Sequence, residues 1–493
     1  MAGYLKRLAA SLGAYQLANV LAKVIGVAML PLYTRHLSTS DYGTIELLAN
    51  GVILISILAR LGMIEAFLRF YFSDTDAERR DALARRAVVF LLVSTTIVSI
   101  VLLVFAAPLS AVVLSHRRPG IFRVAVLGLW SFTNLELAYQ LLRVDERLRL
   151  YAVASLSNVL MTIGASVVLV VGFGDGARGL LLGNYAASTV VLFALWFKLR
   201  HRLLRRRQPA QAMAVLLRFG LPTVPAEASV YALSLIDRYY IYHDRSQSLA
   251  GLYSIAIKLA GAVAFIVRAF QYAWPPLAYS VTDDAEASRL YGLVTTYYLA
   301  VSGLVVAGLT LLGRWVLRLL AAPSFFGAYR ALPWVALGWA LYGLWVVFLV
   351  IAGRANVTTR NFPASLAGLV ANVVLLLVLV PSLGLAGAGI ALCGAYVAML
   401  TVMHLLTRRV FAVDFEWARL VQLVVIVGGL AAAGDVVLPT HGAIGLLSRI
   451  VVLAAIVPAL LATGFAHPAE RRQARALLAR VRAAYPRPAR NGS

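Results

Sequence analysis

The chain has 493 residues, 61% of them hydrophobic and only 13% charged, with a mean hydropathy of +0.84. That composition lies far outside the soluble range and excludes an ordinary water-soluble enzyme. The formal net charge of +24 would suit a nucleic-acid binder, but the charges lie between apolar runs and follow a membrane pattern instead.

A bilayer core of about 30 Å asks for roughly 20 apolar residues per helix. About fourteen such stretches follow one another, near 12–33, 42–72, 87–114, 121–143, 149–173 and 179–199, then 214–242, 249–275, 289–312, 331–353, 359–380 and 384–407, then 416–438 and 443–465. The first apolar run begins at Leu12 and continues into this polytopic pattern, so it is not read as a cleavable signal. The expected class is an all-α polytopic membrane protein.

Several helices carry polar groups at membrane depth. The first has Gln16, Asn19 and Lys23; the second has Glu46, Asn50, Arg60, Glu65 and Arg69. Helix seven has Glu227, Asp237 and Arg238 and is interrupted by Pro222 and Pro225; helix eight has Lys258, Arg268 and Gln271 and is expected to end at Pro275-Pro276. Helices three, five, six, nine and twelve have apolar interiors. Arg60, Glu65 and Arg69, at four- to five-residue steps, would line one wall of a continuous second helix. Each intramembrane charge costs at least about 2.5–3.5 kcal/mol on insertion scales, which makes these residues functional candidates. Asp237 next to Arg238, and Glu65 with Arg69, also admit a simple local ion-pair reading.

With Met1 inside, the expected inner segments hold roughly three times as many basic residues as the outer ones. Inner examples are Lys6, Arg79, Arg80, Arg85, Arg86 and Arg205 to Arg207, and the arginines from Arg471 to Arg490. Both termini are therefore expected in the cytoplasm. The single Cys393 excludes an internal disulfide, and the scattered histidines give no metal-ligand spacing. Phosphate-loop and nucleophile-elbow patterns are absent, so no catalytic site or resident cofactor is expected.

The chain also repeats weakly on itself at an offset of about 210 residues, with Gly51 over Gly261 and Arg60 close to Arg268, which suggests two parallel six-helix lobes. The expected organisation is a lobe at 1–199, a basic linker at 200–213, a lobe at 214–410, an added helix pair at 411–465 and a basic tail at 466–493. A single large helical bundle is the alternative.

The stretch Leu30-Pro31-Leu32-Tyr33-Thr34-Arg35-His36-Leu37-Ser38-Thr39-Ser40-Asp41-Tyr42-Gly43 resembles the first outer turn of bacterial polysaccharide-transport proteins. These are the lipid-linked oligosaccharide flippases of the multidrug/oligosaccharidyl-lipid/polysaccharide exporter superfamily. Further resemblance lies in Phe219-Gly220-Leu221-Pro222, Ile236-Asp237-Arg238-Tyr239, Gly251 to Lys258, Ala273-Trp274-Pro275-Pro276, Asn372 and the glycine-rich stretch Pro381–Ala391.

The resemblance implies fourteen helices, alternating access and a polyprenyl-pyrophosphate substrate bearing a sugar repeat unit, in the bacterial cytoplasmic membrane. A pyrophosphate brings about two negative charges, which a cationic central cavity would receive. On that expectation Lys23, Arg60, Lys258 and Arg268 bind pyrophosphate, Asn19, Asn50 and Gln271 bind sugar, and Glu65, Glu227 or Asp237 carries a coupling proton or sodium ion. A polysaccharide polymerase and glycosyltransferases are the implied partners, and nucleic acid is not. Three alternatives stay open: a cation-coupled drug antiporter, a lipid II flippase, and a membrane enzyme acting on lipid-linked sugars.

Overall fold

The computed structural model describes residues 25–74, 76–204, 212–355 and 357–467. Those residues form helices and turns, with no strand among them. Helices α1 (Leu30–His36), α2 (Thr39–Arg60), α3 (Met63–Ser73), α4 (Ala77–Val104), α5 (Ala106–Leu114) and α6 (Pro119–Val144) come first. They are followed by α7 (Leu148–Val167), α8 (Gly176–Leu204), α9 (Met213–Gly220), α10 (Thr223–Tyr240), α11 (Gln247–Ser280) and α12 (Asp284–Leu320). The last are α13 (Leu332–Arg354), α14 (Asn361–Leu383), α15 (Leu385–Thr407), α16 (Trp417–Leu423), α17 (Gly429–Val437) and α18 (Gly442–Ala462).

Twelve spans among the described residues are long and apolar enough to cross a membrane, α16 and α17 forming one of them through the π-turn Val424–Gly428. Of the two other expected crossings, the one at 12–33 lies mostly outside the described residues. The one at 214–242 is divided into α9 and α10.

Two expectations are corrected. The second helix does not run unbroken from 42 to 72. Leu61 and Gly62 turn left-handed, with φ of 48° and 69°, and separate α2 from α3. Arg60, Glu65 and Arg69 therefore do not form one helical wall. Helix eight does not end at Pro275-Pro276 either, because α11 continues through both prolines to Ser280. Trp274 is buried there against Phe270 and Tyr291, and the Tyr291 hydroxyl donates to the Ala278 carbonyl at 3.0 Å, so aromatic packing holds the proline segment in place.

The start of α2 is chemically specified. Ser38 Oγ accepts from the Asp41 amide at 3.0 Å while Asp41 Oδ2 accepts from the Ser38 amide at 3.1 Å, a reciprocal capping box that satisfies two free helix N–H groups.

The described chain divides into two compact units. The first holds the described residues up to Leu259, with Val316–Val335 and Phe362–Met399. Its apolar core gathers Phe67, Leu91, Leu137, Leu141 and Leu192 from α3, α4, α6 and α8. Within it, glycines let backbones touch. A Cβ on Gly62 would fall on the Gly220 carbonyl and one on Gly220 would fall on that of Gly62, so the two broken helices abut at their breaks. Gly43 and Gly251, at nearly the spacing of the sequence repeat, meet in the same way against the Gln247 and Thr39 carbonyls.

The second unit holds Ala260–Trp315, Ala336–Asn361 and the described residues from Leu400. Here the last helices pack on α12 through Ala307, Leu423, Val427, Ala431, Ile456 and Leu460. Arg449 on α18 is fully buried. It donates to Asp435 Oδ1 at 2.9 Å and to the carbonyls of Leu311, Asp435, Leu438 and Pro439, and its guanidinium carbon lies 5.4 Å from the centre of the Trp315 ring. Arg314 reaches the same Asp435 oxygen at 3.4 Å. A guanidinium with every donor used is tolerated in an apolar interior, and removing it strands the groups it served.

Arg449→Ala is accordingly expected to destabilise the protein by about 3–5 kcal/mol, read as a clear fall in the thermal unfolding midpoint of detergent-purified protein; an unchanged midpoint would mean the network adds no stability. Gly62→Ala should cost about 1–3 kcal/mol from its left-handed backbone, plus the overlap with Gly220. Gly174→Ala, with a φ of 69° but open space around it, should show only the backbone part, so equal losses for the two would disprove the tight contact.

Candidate functional site

On α2, Glu46, Asn50 and Arg60 fall within roughly 80° of one another around the axis, and on α10 Glu227, Tyr231 and Arg238 do the same. The two polar faces meet in antiparallel order within the first unit. Ser40 Oγ donates to Gln247 Oε1 at 2.7 Å, and the Thr44 and Tyr242 hydroxyls lie 3.2 Å apart. Asn50 Oδ1 accepts from Tyr231 at 2.8 Å and from Arg238 at 3.3 Å, and Arg60 pairs with Glu227. Beyond Arg60 the line continues into the Gly62–Gly220 contact. The result is a polar seam that runs the length of α2.

Arg60 is nearly fully buried. Besides Glu227, its guanidinium donates to Glu136 Oε2 on α6 at 3.1 Å and lies 3.6 Å from Glu65 Oε1 on α3. A planar fork of donors suits several carboxylate oxygens at once, and the three glutamates, each about a third exposed, keep contact with solvent. The break at Leu61–Gly62 makes this convergence available, because it lets Glu65 face back toward Arg60.

Lys258 on α11 sits 2.7 Å from Glu46 Oε1 and 4.8 Å from the centre of the Tyr42 ring, a position that adds cation–π attraction to the ion pair. Glu46 is bound in turn by Asn50, whose Nδ2 donates to the Glu46 carbonyl at 2.7 Å and to Oε2 at 3.4 Å. Asp237 is buried, accepts from the Tyr253 hydroxyl at 3.1 Å and has the buried Asn372 of α14 beside it. Asp237 and Arg238 are neighbours in sequence but turn to different partners.

The candidates read from the sequence are thus distributed unevenly. Arg60, Glu65, Glu227, Lys258 and Asn50 come together along the seam, and Asp237 lies buried in the same unit. Arg268 and Gln271 belong to the second unit, where Arg268 is exposed with no ion-pair partner among the described residues and Gln271 donates to the Tyr342 hydroxyl at 3.2 Å. Lys23 and Asn19 lie outside the described residues.

Arg60 and Lys258 are each answered by carboxylates, as an unpaired charge within an apolar membrane segment costs several kcal/mol. Glu136 was not singled out from the sequence, although it is a lone carboxylate in an apolar helix and meets the same criterion as the residues that were.

A family model described as a polysaccharide biosynthesis protein matches residues 8–280. The Lsg locus putative protein 1 of Haemophilus influenzae is 23% identical over 277 residues, which cover 55% of this chain and 66%, just under two thirds, of that relative's length. Among solved structures, the lipid II flippase MurJ in an inward closed conformation superposes with a TM-score of 0.71 at 12% identity, over 90% of this chain and 97% of that one. An inward-facing multidrug resistance MATE family transporter of the MOP superfamily superposes with a TM-score of 0.64 at 16% identity, over 80% of this chain and 94% of that one. At such identities these two establish a shared fold. Because the family model covers more than half of the chain and the apolar helices account for the rest of the pattern, the protein is a multi-pass membrane member of the polysaccharide biosynthesis protein family.

Proposed function

We propose that the protein is a transporter that flips polyprenyl-pyrophosphate-linked oligosaccharide repeat units from the cytoplasmic to the outer leaflet of the bacterial cytoplasmic membrane by alternating access. The observation that carries this reading is the seam itself, which holds two cations, Arg60 at the break between α2 and α3 and Lys258 on α11, together with the Asn50 amide and the Tyr231 hydroxyl. Cations suit a pyrophosphate, amides and hydroxyls suit a glycan, and lipid around the helices suits the polyprenyl tail. Membership of the polysaccharide biosynthesis family and a fold shared with a lipid II flippase point the same way.

In this reading the protein is not an enzyme. Lobes at 1–199 and 214–410 rock about the substrate, the pair at 411–465 is an addition, and the basic linker 200–213 and tail 466–493 lie with both termini in the cytoplasm. Lys23, Asn19, Arg268 and Gln271 complete the substrate contacts, a polymerase and glycosyltransferases are the partners, and Asp237, Glu65 or Glu227 takes the coupling ion. Buried carboxylates are the usual relay groups in transporters; Asp237, with a hydroxyl and an amide beside it, has the donor set for a proton or sodium ion.

One observation favours a second reading, a cation-coupled drug antiporter. Glu46, Glu65, Glu136, Glu227 and Asp237 outnumber Arg60, Arg238 and Lys258 in and beside the seam, and excess carboxylate suits a cationic substrate.

Deleting the gene should remove surface polysaccharide and cause lipid-linked repeat units to accumulate on the cytoplasmic leaflet. Wild type should restore export, whereas Arg60→Ala or Arg268→Ala should lower it at least about tenfold, as expected for losing a charge-assisted contact of about 1.5–3 kcal/mol. Unchanged glycan with raised sensitivity to cationic drugs would establish the antiporter reading instead. Asp237→Asn should uncouple export from the proton or sodium gradient; an export rate that still follows the gradient would remove Asp237 from that role.

A further inference from the structure

Arg60 lies on α2 and Glu227 on α10, so their ion pair ties these two helices together. Glu65 and Glu136, the other carboxylates on Arg60, come from α3 and α6 and make no tie to α9 or α10. Around the pair lie uncharged contacts between these elements: Gly62 lies on Gly220, and the Phe70 ring of α3 meets the Phe219 ring of α9 edge to face with centroids 5.9 Å apart. At this end of the seam, among the described residues, Glu227 therefore supplies the charged attraction across it. Its oxygen occupies the place on the guanidinium fork that a phosphate oxygen would take, since both are anionic acceptors of the same N–H donors.

We propose that Glu227 is an internal stand-in for the pyrophosphate of the substrate. With no substrate bound, it fills the anion position on Arg60 and latches α2 and α3 to α9 and α10. A pyrophosphate oxygen that takes Arg60 displaces Glu227 and releases the latch. This rests on the lipid-linked pyrophosphate reading above and deepens it.

The device meets a thermodynamic requirement, because a ligand shifts a conformational equilibrium only by binding one state better than the other. Pyrophosphate and Glu227 compete for the same donors, so the anion binds the unlatched state preferentially. Glu65 and Glu136 remain on Arg60 and keep it oriented. Their negative charge also weakens retention of the anion, as transport requires, since a site that holds its cargo too tightly does not release it. Glu46 and Lys258 repeat the arrangement with the charges exchanged, the carboxylate lying on α2 and the cation on α11.

The test uses full-length protein in proteoliposomes, with Cys393→Ala to remove the native thiol and Phe70→Cys with Phe219→Cys joined by a short bifunctional thiol reagent. Farnesyl pyrophosphate is the probe and farnesol its uncharged control. Glu227→Gln is expected to lower cross-linking several-fold without any ligand, and Glu227→Asp to restore most of it. Farnesyl pyrophosphate should produce the same loss in the protein with Glu227 intact, farnesol should not, and Glu136→Gln should cross-link as the parent does.

Parent-like cross-linking in Glu227→Gln, an equal loss in Glu136→Gln, or no response of the parent to farnesyl pyrophosphate would each overturn the proposal. The latch and the transport reading fail separately. Normal glycan export by Arg60→Ala sinks the role of Arg60 in transport while a loosened Glu227→Gln still shows the latch; an export defect in Arg60→Ala with an unaltered Glu227→Gln sinks the latch alone.

Discussion

Much of this structure follows from one requirement, that a guanidinium placed at membrane depth must be answered by acceptors it can reach. Arg60 lies at the end of α2, and a straight helix would carry Glu65 around the axis and away from it. The left-handed turn at Leu61 and Gly62 brings α3 back so that Glu65 faces the guanidinium, with Glu136 arriving from α6 and Glu227 from α10. Breaking a helix in a membrane exposes backbone groups, which is tolerated where other protein covers them. Here the cover is the matching break between α9 and α10, at Gly220, Leu221 and Pro222.

The polar groups of α2 and α10 would be costly facing lipid and are far less so facing each other. Asn50 illustrates how closely they are matched: its oxygen accepts from Tyr231 and Arg238 while its nitrogen serves Glu46. Networks of this kind favour one arrangement, yet the buried Arg60 Nε and Glu65 Oε2 find no hydrogen-bond partner among the described residues, and the bonds that are made run through partners that water or a polar ligand can replace. A seam with that property is compatible with the transport of a hydrophilic cargo proposed above. Arg449 and Asp435 show the contrasting case, in which a buried arginine spends its donors on carbonyls and one carboxylate and serves only to fasten the last helices.

The helices were legible in the sequence because twenty-residue apolar runs admit little else, and the charged residues at depth were legible because they stand out against that background. Two kinds of feature were hidden. The break after Arg60 carries no proline; it depends on a leucine and a glycine adopting left-handed angles, and glycines elsewhere in these helices, such as Gly51, stay helical. Pairing was hidden as well, since Glu227 is remote from Arg60 in sequence and nothing in either helix alone names its partner. The prolines misled in the opposite direction: Pro275 and Pro276 read as a helix end, but the aromatic packing around Trp274 carries α11 past them.

The Gly43–Gly251 crossing gives the seam a further property. There the contact is backbone against backbone, each glycine resting on a carbonyl of the opposite helix, and Gly62 and Gly220 meet in the same way beside Arg60. Next to each of these crossings lies an ion pair, Glu46–Lys258 at the first and Arg60–Glu227 at the second. Each crossing is therefore a fulcrum: the bare backbones fix where the helices touch, and the charged pair beside them decides how firmly they are held there.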